Sequence, residues 1–338
     1  MGDAFHVISR LLTAIKSCQQ AIQQCANLLL SGPGMEIAES DVTYYNIDDI
    51  HTDHDALPDK YTVTIGPELT TKRIVIYNSL TFPRNEVVTF LVSTPHVEVL
   101  DHGGRRVHCQ VSPVFEYGSS MSNSKYQLVF IVDIGALTLI SYVINAVQEY
   151  DVPPETVKAK VRIFNQFADV ATPPGFPDVE VSPTASDFTI QNSRVTASFN
   201  NLGLLKAMKI DTHTYPVHLD FAKYGARQST ERSGAYLFLP DREAQPLQIE
   251  STIIKVVEGP VLSSVIVQMP YVLHTVLLYN SAGTLSKYVY KLITSKPCAD
   301  YNINCYLFVR YEIVISFFSF AYVFFWKTSR RPHYCRCA

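Results

Sequence analysis

Between residues 69 and 278 this sequence keeps returning to one local pattern: a short run of β-branched and aromatic residues, then a turn signal. Lys72–Leu80, Glu86–Val92, Val97–Leu100, Gln110–Phe115 and Tyr126–Val132 are such runs. Asp101-His102-Gly103-Gly104 closes a hairpin among them. A second series starts near Phe188. In it, Val195–Lys206 reads as a strand, an Asn-Leu-Gly turn and a returning strand, and strands continue over Ile249–Val256 and Val261–Leu278. Such side chains pack well on a pleated surface, and short strands need a second sheet to bury their apolar face. The spacing predicts a mainly β chain built of β-sandwich domains.

The N-terminus follows a different period. Ile8, Leu11, Leu12, Ile15, Cys18, Ile22, Cys25, Leu28 and Leu29 recur at helical spacing. They predict one amphipathic helix from about residue 5 to 30, ended by Ser31-Gly32-Pro33-Gly34. Asp3, His6, Arg10 and Lys16 interrupt every apolar run there, so the stretch does not read as a signal peptide. A helix with so long an apolar stripe wants partner helices, and none follows in the sequence. Cys18 and Cys25 fall on one face, about 10 Å apart along the axis, too far for a mutual disulfide. The cysteine count of 7 is odd, which leaves at least one thiol unpaired or bonded to another chain.

Charged residues make up 17% and hydrophobic residues 47%, so the chain can bury a sizeable core. The net charge of -3 and the lack of a basic stripe before the last dozen residues exclude a nucleic-acid footprint. Residues 35–68 form a polar linker. Within it, Asp48-Asp49-Ile50-His51-Thr52-Asp53-His54-Asp55 gathers ligand types that suit zinc. Adjacent ligands in a loop lack the surrounding hydrogen bonds that orient real ones, so a solvated acidic loop is the reading and no metal ligand is assigned. The organisation expected is a helix-bundle remnant over 1–34, a first β-sandwich over 69–150, a Pro-rich connection over 151–187, and a second, larger sandwich starting over 188–280.

Residues 281–338 form a divergent apolar tail. Tyr306–Trp326 is mostly apolar, broken only by Arg310 and Glu312, and Lys327, Arg330, Arg331 and Arg336 follow it. Three readings stay open there. It is a candidate transmembrane segment over 306–326 with a cytoplasmic basic flank, a terminal stretch not selected for structure, or a buried strand pair.

The densest local chemistry lies in Lys223-Tyr224-Gly225 and in Arg232-Ser233-Gly234-Ala235-Tyr236-Leu237-Phe238-Leu239-Pro240. Together these resemble a signature of the class II α-mannosidases, glycoside hydrolase family 38, and of their Golgi type in particular. Tyr77–Arg84, with its Asn-x-Leu-x-x-x-Arg spacing, and Gln110–Phe115 are similar to the family's first β domain. Phe199 with Gly203-Leu204-Leu205-Lys206 fits a further family pattern. Cys18-Gln19-Gln20, Gln23-Gln24 and Leu28-Leu29-Leu30 match the last helix of its three-helix bundle. The resemblance is collinear from residue 10 to about 280.

It implies a segment of a retaining α-mannosidase that trims α-1,3 and α-1,6 mannose from N-glycans in the Golgi. Such an enzyme uses a carboxylate nucleophile, a carboxylic acid/base and a zinc ion that holds the terminal mannose. In the family all three lie upstream of the helix, so this chain is expected to bind no zinc and to be inactive by itself. The resemblance assigns Tyr236 to the sugar pocket and lets Arg232, Lys223 and Tyr224 brace the same loop. The alternative is a non-catalytic carbohydrate- or protein-binding β-sandwich module, tethered to a membrane by its tail. Oligomeric state is not set by any of these features.

Overall fold

The computed structural model describes residues 2–31, 62–66, 70–116, 118–225, 239–269 and 272–280, and the backbone strands 305–315, 318–320 and 324–328. The chain divides into two units, one of residues 1–61 with 332–338 and one of residues 62–331. In the first, α1 spans Gly2–Ser31. Leu11, Leu12, Ile15, Ile22, Leu28 and Leu29 stand exposed along it. The acidic stretch Asp48–Asp55 lies outside the described residues.

The second unit is mainly β, as the alternation of apolar residues predicts. Its first eight strands are β1 (Thr62–Val63), β2 (Thr71–Tyr77), β3 (Arg84–Val92), β4 (Val97–Leu100), β5 (Cys109–Phe115), β6 (Met121–Ile134), β7 (Leu139–Ala146) and β8 (Thr156–Lys158). They form a five-stranded sheet in the order β1-β3-β6-β5-β8 and a three-stranded sheet β2-β7-β4. Val92, Val99, Val111, Leu128, Phe130 and Ile144 fill the space between the two sheets. Phe130 on β6 reaches across to Tyr142 on β7, with ring centroids 5.3 Å apart.

The second set is β9 (Lys160–Phe164), β10 (Val179–Ser182), β11 (Phe188–Gln191), β12 (Val195–Phe199), β13 (Leu205–Ile210), β14 (His213–Gly225), β15 (Gln245–Pro246), β16 (Ile253–Glu258), β17 (Leu262–Gln268) and β18 (Leu273–Tyr279). One sheet runs β10-β9-β16-β17-β18 and the other begins β11-β12-β13-β14. Ile190, Phe199, Met208 and Leu219 from one sheet meet Ile254, Val256, Val265 and Val267 from the other. Phe188 stacks on Phe199 at 5.1 Å. The Asn-Leu-Gly turn falls between β12 and β13 as its sequence predicts. Asn200 Oδ1 accepts the N–H groups of Leu202 and Leu204 there, and Gly203 takes a positive φ of 79°, which glycine adopts without steric cost.

The stretch 151–187, expected as a Pro-rich connection or an internal crossing between sheets, carries three strands. Pro153 and Pro154 only turn the chain. Thr156–Lys158 then pairs parallel to β5, Cys109 opposite Thr156. After buried Ala159 the chain enters the second sandwich as β9, paired with β16. The alternating burial of Lys160–Phe164 is that of an ordinary two-faced strand. A proline-rich composition hid this because proline excludes strand only where an N–H is needed, and these prolines lie outside the ladders.

The two sandwiches share a buried joint. Val129, on the face of β6 opposite Leu128 and Phe130, forms one cluster with Val261 and Leu262. Met121 does the same with Val161, Ile163 and Val257. Burial on both faces explains why β6 reads as a nearly continuous apolar run from Leu128 to Val132.

The backbone of Cys305–Ile315 pairs antiparallel to β14, and Phe318–Phe320 and Phe324–Thr328 pair with it in turn. Among the described residues no helix is long and apolar enough to cross a membrane.

Candidate functional site

β14 leads from the second core to the residues the motifs single out. Val217, Leu219 and Phe221 point into the second core with the period of two that a half-buried strand requires. Near its end the pattern turns outward: Lys223 is exposed and Tyr224 is half-buried. The chain leaves the described residues after Gly225 and returns at Leu239. Arg232 and Tyr236 both fall in 226–238, outside the described residues, so the site they were assigned to is known here only by its base.

That base is tightly defined. The N–H of Asp241 donates to the carbonyl of Gly225 at 3.0 Å. β15 pairs with β14, Ala222 opposite Pro246 and Lys223 opposite Gln245. The Leu247 N–H then donates to the Phe221 carbonyl at 2.8 Å. Gly225 and Asp241, which flank residues 226–238 in sequence, therefore meet at one hydrogen-bonded mouth at the end of β14. The Asp241 carboxylate lies over Gly225 and accepts the Nε–H of Arg242 at 3.1 Å. A Cβ on residue 225 would sit 2.3 Å from Asp241 Oδ2.

Gly225→Ala is thus expected to push the Asp241 carboxylate aside and loosen the mouth, at a cost of about 1–3 kcal/mol. Faster proteolytic cutting within 226–238, with a lowered Tm, is the expected result. A cutting rate equal to the parent's would show that Asp241 rotates away freely.

Behind β14 lies His274 on β18. Its ring meets the Phe221 ring edge-on, centroids 5.7 Å apart. The residue is fully buried, and neither ring nitrogen has a hydrogen-bond partner. Burial pushes its pKa down from 6.5 to about 4, so the imidazole is neutral near pH 7. A neutral, solvent-sealed ring cannot exchange protons with a substrate. The Cys109 thiol is likewise inert, raised to about 11 by burial and held against Thr156 Oγ1 at 3.3 Å. His96 sits 3.5 Å from Lys158 Nζ and 3.8 Å from a Glu149 carboxylate oxygen. Burial, then the Lys158 charge, lowers its pKa, and Glu149 opposes them. Among the described residues no group of three His, Cys, Asp or Glu side chains could hold a metal ion.

No family model matches the chain. Curated relatives do. Alpha-mannosidase 2 of Drosophila melanogaster is 30% identical over 83% of this chain. Alpha-mannosidase 2x of Mus musculus is 31% identical over 81%, and alpha-mannosidase 2 of Homo sapiens is 30% identical over 71%. The chain spans about a quarter of the first two relatives' length, 26% and 24%. Among solved structures, a glycosyl hydrolase family 38 protein from Enterococcus faecalis is similar at 13% identity and a TM-score of 0.30, over 72% of this chain and 30% of that one.

Proposed function

We propose, because this chain belongs to the class II α-mannosidase family of glycoside hydrolases, that it supplies the β-sandwich part of a retaining α-mannosidase acting on N-glycan mannose. The observation that carries the reading is the similarity to alpha-mannosidase 2 proteins over most of the chain. In this reading the enzyme trims α-1,3 and α-1,6 mannose in the Golgi. The nucleophile, the acid/base and the zinc ion that holds the terminal mannose belong to the portion of the full-length relatives outside this chain. The described residues hold no ligand set that fits zinc. What this chain contributes is position. The paired sandwiches hold Gly225 and Asp241, which flank residues 226–238 in sequence, at the end of β14, and in this reading Tyr236 contacts the sugar with Arg232 in support.

The purified chain is expected to release no p-nitrophenol from an aryl α-mannoside, with or without added zinc. Joined to the remaining portion of an alpha-mannosidase 2 relative, it should turn the same substrate over. In that enzyme Tyr236→Phe should lower kcat/KM roughly ten- to hundredfold at nearly unchanged Tm. One hydrogen bond to a charged group, made in the transition state, is worth about 1.5–3 kcal/mol. Turnover by the chain alone would overturn the assignment of the catalytic groups to other parts of the enzyme. An inactive joined enzyme would favour the non-catalytic binding module.

A further inference from the structure

A cluster of titrating groups that the proposed reaction does not use sits where the chain passes from the first sandwich to the second. β8 ends at Lys158 and, through buried Ala159, runs into β9. Three segments close around this crossing. The first is the turn between β3 and β4, which carries His96. Its backbone is fixed: the His96 carbonyl accepts the Val147 N–H at 3.0 Å, and the next carbonyl, of Val97, accepts the Thr156 hydroxyl at 2.8 Å. The second is the turn Pro173–Phe176, closed by the Phe176 N–H on the Pro173 carbonyl at 3.1 Å. Phe176 stacks on Tyr126 and anchors it. Gly175 in that turn packs so closely that a Cβ would meet Pro95 at 2.9 Å and Lys158 Nζ at 3.4 Å. The third is the short helical turn Glu149–Asp151.

The His96 side chain lies at the centre, only 17% exposed. Its Nε2 faces two groups of opposite charge, Lys158 Nζ at 3.5 Å and a Glu149 carboxylate oxygen at 3.8 Å. These are the charged groups that act on the ring, one from β8 and one from the helical turn. An ammonium group only donates, so in the neutral ring Nε2 is the acceptor and Nδ1 carries the hydrogen. A proton on Nε2 reverses the arrangement. The nitrogen becomes a donor, Lys158 becomes a like charge beside it, and Glu149 becomes the fitting partner. The Glu149 side chain is 74% exposed and has room to close in.

We propose that His96 is a proton-operated clasp on the crossing between the sandwiches. With a neutral ring it holds Lys158, and the end of β8 is kept against the Gly175 turn. With a protonated ring it releases Lys158 and takes Glu149 instead, so the clasp opens as the surroundings turn acid. Burial and then the Lys158 charge keep the proton off the folded ring, so the change falls below pH 6.5, the ordinary histidine value. The unfolded chain takes this proton first. The clasp's share of stability is therefore whole above pH 6.5 and is lost as the pH falls through the lower, folded value. The clasp is independent of the sugar chemistry proposed above.

The test is NMR of the whole chain, labelled in its histidine rings and in its glycine and lysine amides, from pH 7.5 to 5. The His96 ring is expected to carry its hydrogen on Nδ1 at neutral pH and to titrate with a midpoint below 6.5. The Gly175 and Lys158 amides should move with that same midpoint. His274 is an internal control, since its ring stays largely neutral down to pH 5. Lys158→Met should raise the proton affinity of the His96 ring and Glu149→Gln should lower it, each by roughly two- to fivefold. His96→Gln keeps an acceptor for Lys158 without a titrating group, and in it the Gly175 amide should no longer move over this range. A Gly175 amide that moves identically in His96→Gln overturns the clasp. So does a His96 ring that titrates without moving Gly175, a midpoint at or above 6.5, or a midpoint that Lys158→Met leaves unaltered.

Discussion

Gln110→Leu is expected to lower the unfolding free energy of the chain by about 3–6 kcal/mol, the largest loss from any single substitution argued for this fold. Gln110 is buried at the joint between the sandwiches. Its Oε1 accepts the N–H groups of Val261 and Leu262 at 3.0 and 2.9 Å. Its Nε2 donates to the Leu262 carbonyl at 2.8 Å and to Ser112 Oγ at 3.2 Å. Leucine fits the volume but leaves three buried backbone groups without their side-chain partner. Each such group costs about 1–3 kcal/mol. The turn has little freedom to find substitutes, because Asn280 already holds it from the other side through the Gly259 and Val261 carbonyls. A Cβ on Gly259 would meet the Gln110 amide at 2.3 Å, so Gly259→Ala strains the same contact. Gln110→Glu should fall between parent and leucine variant, since a carboxylate still accepts both N–H groups but cannot donate to Leu262. Urea unfolding with fluorescence reads all three. A loss below about 1 kcal/mol for Gln110→Leu would mean that water replaces the side chain and that the joint is not sealed.

The second large effect is a dependence on acid that one residue governs. His274 is neutral in the fold, its pKa lowered from 6.5 to about 4 by burial. Once unfolded, the imidazole takes a proton below about pH 6.5, whereas in the fold it stays neutral until about pH 4. Between these values the unfolded state binds more protons, so stability falls as the pH falls. The full contribution is present above pH 6.5 and is gone below about pH 4. At about 1.4 kcal/mol for each tenfold change in proton affinity, that is roughly 3 kcal/mol. His274→Leu should abolish this share of the slope. It should also stabilise the chain at pH 7 by about 1–3 kcal/mol, because two buried nitrogens without partners are replaced by a well-packed alkyl group. Unfolding curves of parent and variant at pH 7.5, 6 and 5 supply the comparison. Other groups titrate in both proteins, so the difference between the two slopes is the readout. Parallel slopes would show that an ordered water pairs with the ring.

Some of this was legible from residue order. Leu273–Tyr279 falls at the end of the stretch Val261–Leu278 expected as strand, whereas the alternating burial that seals His274 with Val276 and Leu278 is read from the fold. The Asn-Leu-Gly hairpin likewise lies where its turn residues place it. The class II α-mannosidase resemblance, carried by short motifs such as Tyr77–Arg84, agrees with the relatives found over four-fifths of the chain. Tyr236 and Arg232, the residues that resemblance singled out, fall outside the described residues.

The strands and their inward faces follow from neighbours in sequence, because side chains alternate across a strand and a buried face must be apolar. The joint does not. Nothing in Gln110-Val111-Ser112 marks Gln110 as the partner of Val261 and Leu262. The apolar run Leu128–Val132 implies that both faces of β6 are covered but not that Val261 and Leu262 cover Val129, and the prolines of 151–187 do not show which sheets its three strands join. These outcomes depend on which sheets meet. That choice is made by the total burial and hydrogen bonding of segments some 150 residues apart, a sum over the whole fold to which any one stretch contributes without recording the result.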